Sequence, residues 1–327
     1  MIRIDLITGF LGSGKTTFIR LYAKYLTGKG LRVAILENDH GAVNVDMMLL
    51  KELEKEGCEL EMIAGGCDYD CHMRRFRTKL ISMAMRGFDR VIVEPSGIFD
   101  VDEFFDILHD EPLDRWYEAG SVIAICDAGL PDQLSRESEY LLVSQVSCAG
   151  ALVISRTQQY GPGAVRSVLE HLSAAMKAFG CQREFAGEVC AKDWSSFTEE
   201  DCEAFMNASF VPSDHIKLQT ARDNAYETLY FMNLPLSLPD IREKAECFLA
   251  DESRFGRVIR VKGFHRGEDG WHEINASRGS ISTAPIEEGQ EVLLVIGEDL
   301  KGDAVAEALL PASCRETVWH NGTVWKC

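Results

Sequence analysis

One stretch near the N-terminus combines glycines, a lysine and a threonine at a spacing that suits phosphate chemistry. Residues 9–16 read GFLGSGKT and fit the pattern G-x-x-x-x-G-K-[ST] at every fixed position. The glycines let backbone N–H groups turn toward a polyphosphate, Lys15 is expected to reach the β and γ phosphates, and the Thr16 hydroxyl is expected to bind Mg²⁺. The predicted phosphate-binding residues are Gly9, Gly12, Ser13, Gly14, Lys15, Thr16 and Thr17.

The segments on either side of this motif are those that a phosphate-binding loop requires. Residues 2–8 are short and largely apolar, which predicts a buried strand, and residues 16–26 place apolar side chains at helical spacing. A strand, a glycine loop and a helix in this order distinguish a phosphate site from a chance glycine turn. We therefore predict a P-loop that binds a nucleotide.

Polar segments also follow the next predicted buried strands. Residues 31–36 lead into Glu37 and Asp39, and residues 90–94 end in Glu94, followed by Pro-Ser and Gly97. Ligands of open α/β sheets bind at the carboxyl ends of parallel strands. Asp39 or Glu94 is expected to hold Mg²⁺ together with Thr16, although a solvated loop remains an alternative for Asp39.

The same pattern assigns catalytic roles. A carboxylate at a strand end followed by x-x-Gly lets the acid meet Mg²⁺ while the glycine N–H contacts the γ-phosphate. The predicted catalytic residues are Lys15, Glu94 and Gly97.

Residues 65–72 read GGCDYDCH and bring together groups that bind transition metals. Thiolate and imidazole suit Zn²⁺, Co²⁺ or Ni²⁺, so Cys67, Cys71 and His72 are candidate ligands. No second ligand pair follows at zinc-finger spacing, so such a site is open, borrows ligands or is shared across a homodimer. The alternative is that Cys67 packs in the core and Cys71 and His72 begin a helix.

Further strand-like runs at residues 121–127 and 150–155, separated by a helical pattern, predict repeated βα units. The predicted fold class is α/β, a doubly wound, mostly parallel sheet of P-loop NTPase type with a smaller C-terminal α+β domain. The expected domains are residues 1–182, which bind nucleotide, and 226–327. Residues 183–225 form an unassigned boundary region.

Composition limits the classes of partner. The 327 residues carry a formal net charge of −18, which disfavours nucleic acid and anionic membranes as partners. No apolar run reaches about 18 residues and no signal peptide is evident, so a cytoplasmic protein is expected. The eleven cysteines are mostly scattered and are expected to be reduced thiols.

Taken together, these motifs resemble the CobW-type P-loop GTPases, relatives of the urease and hydrogenase nickel-insertion GTPases. The resemblance is carried by GFLGSGKTT at 9–17, ENDHGAVNVD at 37–46, GGC at 65–67, EPSG at 94–97 and RVIRVKG at 257–263. It implies GTP hydrolysis that drives delivery of a metal or a cobalamin-type (corrinoid) cofactor to a client protein. No residue stands out as the base that positions water, which predicts slow intrinsic hydrolysis accelerated by a client or by dimerisation.

Three departures from that family bear on the site. The family's C-x-C-C motif becomes Cys67-Asp68-Tyr69-Asp70, and Ala42 stands where a glutamate is common. The Asn-Lys-x-Asp motif that binds guanine becomes Ser155-Arg156-Thr157-Gln158. Ser155 and Gln158 are still the predicted base-binding residues. Gln158 can accept a hydrogen bond through its carbonyl but cannot form the charge-assisted pair of a carboxylate, so guanine selectivity should weaken and ATP stays an alternative.

Two other functions remain open at this stage. A nucleotide-gated factor without metal cargo, which remodels or reactivates a metalloenzyme, is favoured by the altered cysteine motif. A small-substrate kinase is disfavoured because no arginine-rich lid is evident. His265, His272 and His320 in the C-terminal part are read as structural, with a metal role as the alternative.

Overall fold

The computed structural model describes residues 1–39, 50–64, 69–96, 99–161, 163–218, 226–310, 315–319 and 322–326, with only the backbone described at 39, 64, 69–70 and beyond 310. The described residues group into two units. One contains the described residues from 1 to 218, and the other contains those from 226 onward.

The first unit is built on a parallel sheet of seven described strands in the order β3-β2-β4-β1-β5-β6-β7. Its strands are β1 (Ile2–Thr8), β2 (Val33–Asp39), β3 (Glu59–Ala64), β4 (Arg90–Pro95), β5 (Tyr117–Asp127), β6 (Ala151–Ser155) and β7 (Val189–Cys190). Its helices are α1 (Lys15–Gly28), α2 (Tyr69–Ala84), α3 (Asp102–His109), α4 (Leu113–Trp116), α5 (Arg136–Ser147), α6 (Thr157–Tyr160), α7 (Ala164–Ala178) and α8 (Glu199–Met206), with 3₁₀ turns at Lys51–Glu56 and Trp194–Ser196.

This strand order places β1 in the middle of the sheet and confirms the predicted doubly wound α/β fold. The central strands are buried along nearly their whole length because both faces of the sheet are covered there; all six residues of β4 are buried, and six of the seven residues of β1 are buried. Since β1 lies between β4 and β5, the loop that follows it has the carboxyl ends of β4 and β2 on one side and those of β5, β6 and β7 on the other.

The segment that the sequence left unassigned belongs in large part to this first unit. β7 pairs with β6, and α8 begins with a capping box in which Thr198 and Asp201 exchange hydrogen bonds. Phe205 on α8 is buried in the core, with its ring centroid 5.2 Å from that of Phe18 on α1. The first unit therefore extends beyond residue 182.

A polar cluster is buried within the same unit. The Asp5 carboxylate accepts hydrogen bonds from the Tyr22 hydroxyl at 2.8 Å and the Ser121 N–H at 2.7 Å, and it lies 3.3 Å from the Arg90 guanidinium. Arg90 also donates to the Met206 carbonyl at 3.1 Å. Burial raises the pKa of Asp5 to about 6, although Arg90 acts in the opposite direction. The cluster connects β1, β4 and β5 to the end of α8.

The second unit is an α+β structure, as predicted. Its strands are β8 (Glu227–Met232), β9 (Arg257–Gly267), β10 (Gly270–Ser277), β11 (Ser280–Ile286), β12 (Val292–Glu298), β13 (Arg315–Trp319) and β14 (Gly322–Lys326), in the order β11-β10-β9-β12-β8-β14-β13. Only the β14–β8 pair among these described strands is parallel. Its helices are α9 (Leu238–Ala250), α10 (Glu252–Phe255) and α11 (Gly302–Leu309).

The glycine at 263 has a packing reason in this second sheet. A Cβ at that position would lie 2.0 Å from the Val292 carbonyl oxygen on β12. The RVIRVKG stretch at 257–263 thus forms most of β9, and its last glycine lets β9 and β12 approach each other.

Two general properties complete the description. No helix in the described ranges is long and apolar enough to cross a membrane. The cysteines described are free thiols, and burial raises the pKa of Cys126 to about 12 and that of Cys58 to about 11. Both thiols therefore stay protonated near neutral pH and behave as small apolar side chains.

Candidate functional site

The loop between β1 and α1 has the backbone of a phosphate cradle. Gly9, Gly12 and Gly14 have φ values of 143°, 75° and 102°, a region that residues with a Cβ rarely occupy. A Cβ on Gly9 would lie 2.2 Å from the Ile125 carbonyl oxygen. These positions therefore require glycine for the loop to curl against β5.

The side chains of the loop are buried around this cradle. Lys15 is 6% exposed, and its Nζ donates to the Gly9 carbonyl oxygen at 3.0 Å across the loop. The Ser13 hydroxyl is buried and, among the described residues, has no hydrogen-bond partner. Thr17 is exposed in the first turn of α1. A buried hydroxyl without a partner in a glycine cradle fits a ligand that carries hydrogen-bond acceptors.

Two glutamates lie beside the loop on the β4 side. The Thr16 hydroxyl donates to Glu94 Oε1 at 2.9 Å, and Glu94 at the end of β4 is the register partner of Glu37 on β2. Both glutamates are 2% exposed. We call Glu37 and Glu94 the acid-side pair. Hydroxyl and carboxylate oxygens are ligands that Mg²⁺ prefers, so Thr16 and the acid-side pair fit this ion.

On the opposite side of the loop, the end of β6 is tied to the P-loop. The Ser155 hydroxyl is buried and donates to the Ser13 carbonyl at 2.7 Å. Arg156 donates to the Gly12 carbonyl at 2.8 Å and forms an ion pair with Asp127 at the end of β5. Arg156 adopts a left-handed backbone with φ of 56°, which allows this reach. Ser155 thus links the P-loop to the end of β6. Gln158, by contrast, is exposed on α6.

A second segment on this side was not predicted from the sequence. Residues 191–194 follow β7, and the Thr157 hydroxyl donates to the Ala191 carbonyl at 3.4 Å. The Trp194 indole lies against the P-loop, since a Cβ on Gly14 would be 3.3 Å from its Cζ2. We call residues 155–158 and 191–194 the base-side loops. The two-residue strand Val189–Cys190 was too short to predict from hydrophobic periodicity, which is why this segment was missed.

The candidate transition-metal ligands are only partly described. Cys71 is half-buried and His72 is buried at 1% exposure in the first turn of α2, where consecutive side chains point about 100° apart. Cys67 and Gly97 lie outside the described residues, and Asp39 is described only as the last backbone position of β2. Within the described ranges, no three His, Cys, Asp or Glu side chains gather closely enough to hold a metal ion.

The histidines of the second unit are placed as follows. His265 and His272 are register partners on β9 and β10, and each contacts a carboxylate, Glu291 at 3.5 Å and Asp269 at 3.4 Å respectively. His320 lies outside the described residues.

Comparison with known proteins agrees with this geometry. Residues 3–180, more than half of the chain, match the family model "CobW/HypB/UreG, nucleotide-binding domain". The chain is 30% identical over 164 residues to the zinc chaperone YeiR of Escherichia coli K12, covering 50% of this chain and 48% of that protein. It is 28% identical over 170 residues to the zinc chaperone YjiA of the same organism, covering 49% and 51%. The chain therefore spans about half the length of the curated relatives it matches.

Among solved structures, the zinc-bound YjiA GTPase of E. coli is similar, with 19% identity, a TM-score of 0.36 and coverage of 94% of this chain and 97% of that one. No functional conclusion follows from a structural likeness at this level. The family model, the motifs at their expected strand ends and the P-loop geometry agree with one another. The chain belongs to the CobW/HypB/UreG family of P-loop NTPases, and residues 3–180 match the nucleotide-binding domain of that family.

Proposed function

We propose that this protein is a nucleoside-triphosphate-hydrolysing switch, with GTP as the expected nucleotide, that couples hydrolysis to delivery of a metal ion or a corrinoid cofactor to a client protein. The observation that carries the proposal is the register of three neighbouring strands. Glu94 on β4 pairs with Glu37 on β2, and Asp39 on β2 pairs with Ala64 on β3. The acid-side pair and the segment that begins at Gly65 therefore start from the same edge of the sheet.

The distance along the chain supports this coupling. Cys67 is three residues after Ala64 in the sequence, and three residues of fully extended chain span at most about 11 Å. We propose that a rearrangement at the ends of β4 and β2 reaches the cysteine segment through the end of β3, which pairs with β2. Relatives named zinc chaperones are consistent with Zn²⁺ as cargo, and Co²⁺ and Ni²⁺ suit the same donor atoms.

We propose the following roles for the residues in binding the nucleotide and Mg²⁺. Lys15 and the loop N–H groups neutralise phosphate charge, and Thr16 with Glu94 holds Mg²⁺, which supplies further charge neutralisation when bound. The Thr16 hydroxyl donates to Glu94, so a movement of the Thr16 side chain would alter the position of Glu94 at the end of β4. Gly97, two residues beyond Pro95, is proposed to contact the γ-phosphate.

Cobalt(II) titration tests the metal half of the proposal, because thiolate–cobalt bonds give a strong near-ultraviolet absorption. Wild type, Cys67→Ala and the control Cys247→Ala, which removes an exposed thiol on α9, are compared with GDP and with a non-hydrolysable GTP analogue. We expect one thiolate-bound cobalt per chain in wild type and in the control. Cys67→Ala should lose it, and the affinity should differ between the two nucleotides. Equal absorption in wild type and Cys67→Ala would contradict a role for Cys67.

The alternative function, a nucleotide-gated remodelling factor for a metalloenzyme, is favoured by one observation. Tyr69 and Asp70, which replace two cysteines of the family motif, already form the first turn of α2. Absence of any thiolate–cobalt signal, with nucleotide binding intact, would move the assignment to this alternative. Measuring the molecular mass of the cobalt-loaded protein would show whether a homodimer completes the site.

A further inference from the structure

We propose that the nucleotide site accepts purine nucleotides without reading the 2-amino group of guanine, and that Gln158 is the residue that sets this breadth. The inference rests on the proposed nucleotide binding, but not on the proposed metal delivery. It follows from the position and the partners of the polar groups around the P-loop.

The two sides of the P-loop serve different parts of a nucleotide. Thr16 and the acid-side pair offer metal-binding oxygens toward β4 and β2, which is where the terminal phosphates and their ion belong. The nucleoside must then extend the other way, toward β6 and β7. There the base-side loops lie against the P-loop through Arg156 on Gly12 and Trp194 on Gly14.

Guanine presents two adjacent donors, N1–H and the 2-amino group, and a carboxylate that binds both needs its two oxygens available. The carboxylates around the base-side loops are engaged by the protein itself. Asp127 accepts Gly129 N–H on Oδ1 at 2.8 Å and Arg156 on Oδ2. Asp201 binds Lys192 through both oxygens, at 2.6 and 2.8 Å.

The remaining carboxylate there, Asp193, is also in use. It accepts the N–H of Ser195 at 2.9 Å and the Ser195 hydroxyl, and so caps the 3₁₀ turn that positions Trp194. Rotating Asp193 toward a base would remove this cap. The described carboxylates at this end of the site therefore hold the loops in place. Hydrogen bonds to the base must then come from other groups.

Gln158 offers different chemistry from a carboxylate. It is exposed on α6, one residue after Thr157, whose hydroxyl joins the two base-side loops. A carboxamide has one acceptor oxygen and one donor nitrogen. This pair matches a donor next to an acceptor, an arrangement that adenine, hypoxanthine and guanine all present on their Watson–Crick edges. None of these contacts uses the 2-amino group that distinguishes guanine from hypoxanthine.

Calorimetric titration of GDP, IDP and ADP with Mg²⁺ on the full chain tests the inference. GDP and IDP differ only in the 2-amino group. For wild type we expect GDP and IDP dissociation constants within about threefold of each other and ADP within roughly tenfold, because no charged group contacts the 2-amino group. In Gln158→Asp, GDP should bind roughly 10- to 100-fold more tightly than IDP, the gain expected from hydrogen bonds to a charged group.

Gln159→Asp is the matched control, since Gln159 is the next exposed residue on α6 and the change adds the same charge. It should leave the GDP to IDP ratio at the wild-type value. A wild-type preference for GDP over IDP of 30-fold or more overturns the inference, as does a Gln158→Asp variant that still fails to discriminate. If none of the three diphosphates binds, the proposed nucleotide switch fails as well. A missing cobalt signal alone does not affect the GDP to IDP ratio and therefore does not bear on this inference.

Discussion

Gly9 shows how a single residue type can be required by the backbone around it. Its φ of 143° and the nearby Ile125 carbonyl oxygen both exclude a side chain, so the residue holds the start of the P-loop against β5. Gly28, the last residue of α1, has no atom within 4 Å of an added Cβ. The two glycines therefore differ in what an added methyl group would meet.

For Gly9→Ala we expect loss of GDP binding and a free energy of unfolding lower by about 1–3 kcal/mol, because the methyl group meets backbone at 2.2 Å. Gly28→Ala should be neutral or up to about 1 kcal/mol more stable, since alanine favours a helical conformation. Urea unfolding and GDP titration of both variants measure the difference. Equal effects would show that contact with Ile125 does not decide the residue at position 9.

The buried Asp5 makes the free energy of unfolding depend on pH, and its raised pKa fixes the direction of that dependence. Its pKa is about 6 in the folded chain against 3.8 for a free carboxyl, because burial outweighs the attraction of Arg90. Between these two values the folded chain retains a proton that the unfolded chain has lost. The contribution of Asp5 to the free energy of unfolding therefore falls as the pH rises from about 4 to about 6, and is constant above.

Comparing wild type with Asp5→Asn isolates this effect from the other carboxylates. The difference in free energy of unfolding, wild type minus variant, should decrease from pH 4 to pH 6 and stay level to pH 8. Asp5→Asn also leaves Arg90 without its anionic partner at every pH, which shifts the variant by a constant amount. Parallel curves for the two proteins between pH 4 and pH 6 would show that Asp5 is ionised throughout.

At the scale of elements, the carboxyl end of α5 is hydrogen-bonded by Arg183, a residue distant from it in sequence. Arg183 is 7% exposed at its side chain, donates to the Ser147 carbonyl at 2.7 Å and to the Ala149 carbonyl, and lies 3.3 Å from Glu188. Its guanidinium therefore binds carbonyl groups at the end of α5 and just beyond it, where helical hydrogen bonds stop.

Replacing Arg183 with alanine should lower the free energy of unfolding by about 1.5–3 kcal/mol, the usual value for buried hydrogen bonds to a charged group. Arg183→Lys should recover only part of this, because lysine keeps the charge but not the planar set of donors. Arg115→Ala, which removes an exposed pair with Glu111, should change stability by less than about 0.5 kcal/mol. Urea unfolding of the three variants provides the test. A cost for Arg115→Ala equal to that of Arg183→Ala would contradict the cap.

Sequence patterns predicted most of the first sheet because its strands are continuous apolar runs bounded by glycine and polar residues. They did not reveal β7 and α8, since two residues give no period and the α8 sequence EEDCEAFM carries only two buried side chains, Cys202 and Phe205. The ties from Arg156 and Trp194 to the P-loop were equally invisible. They join residues more than 140 positions apart, and no local pattern records such a contact.

At the scale of the whole molecule, the net charge is −18, and several basic side chains form ion pairs with acidic neighbours. On α2, Arg77 lies 3.3 Å from Asp110 and Lys79 lies 2.8 Å from Glu61. Arg86, just beyond α2, also pairs with Glu61. Two basic side chains of α2, Arg77 and Lys79, are therefore paired with acidic neighbours.

We expect no measurable binding to duplex DNA or to vesicles rich in anionic lipid at about 50 mM salt, because an acidic surface repels both. Filter binding and vesicle co-sedimentation measure this. Binding that weakens steeply as salt is raised would indicate an exposed basic region outside the paired residues. The exposed Arg74 of α2 would then be the first position to replace.

The contact of Trp194 with Gly14 has a consequence for how the protein is made. The phosphate-binding loop is translated before the indole beside it, which is added 180 residues later, and Phe205, which packs on Phe18, is added later still. At roughly 5–20 residues per second, a ribosome leaves the loop without this wall for about 10–40 s. During that interval we expect Phe18 to be accessible to chaperones that bind exposed aromatic side chains, and we expect stable nucleotide binding only after α8 has been translated.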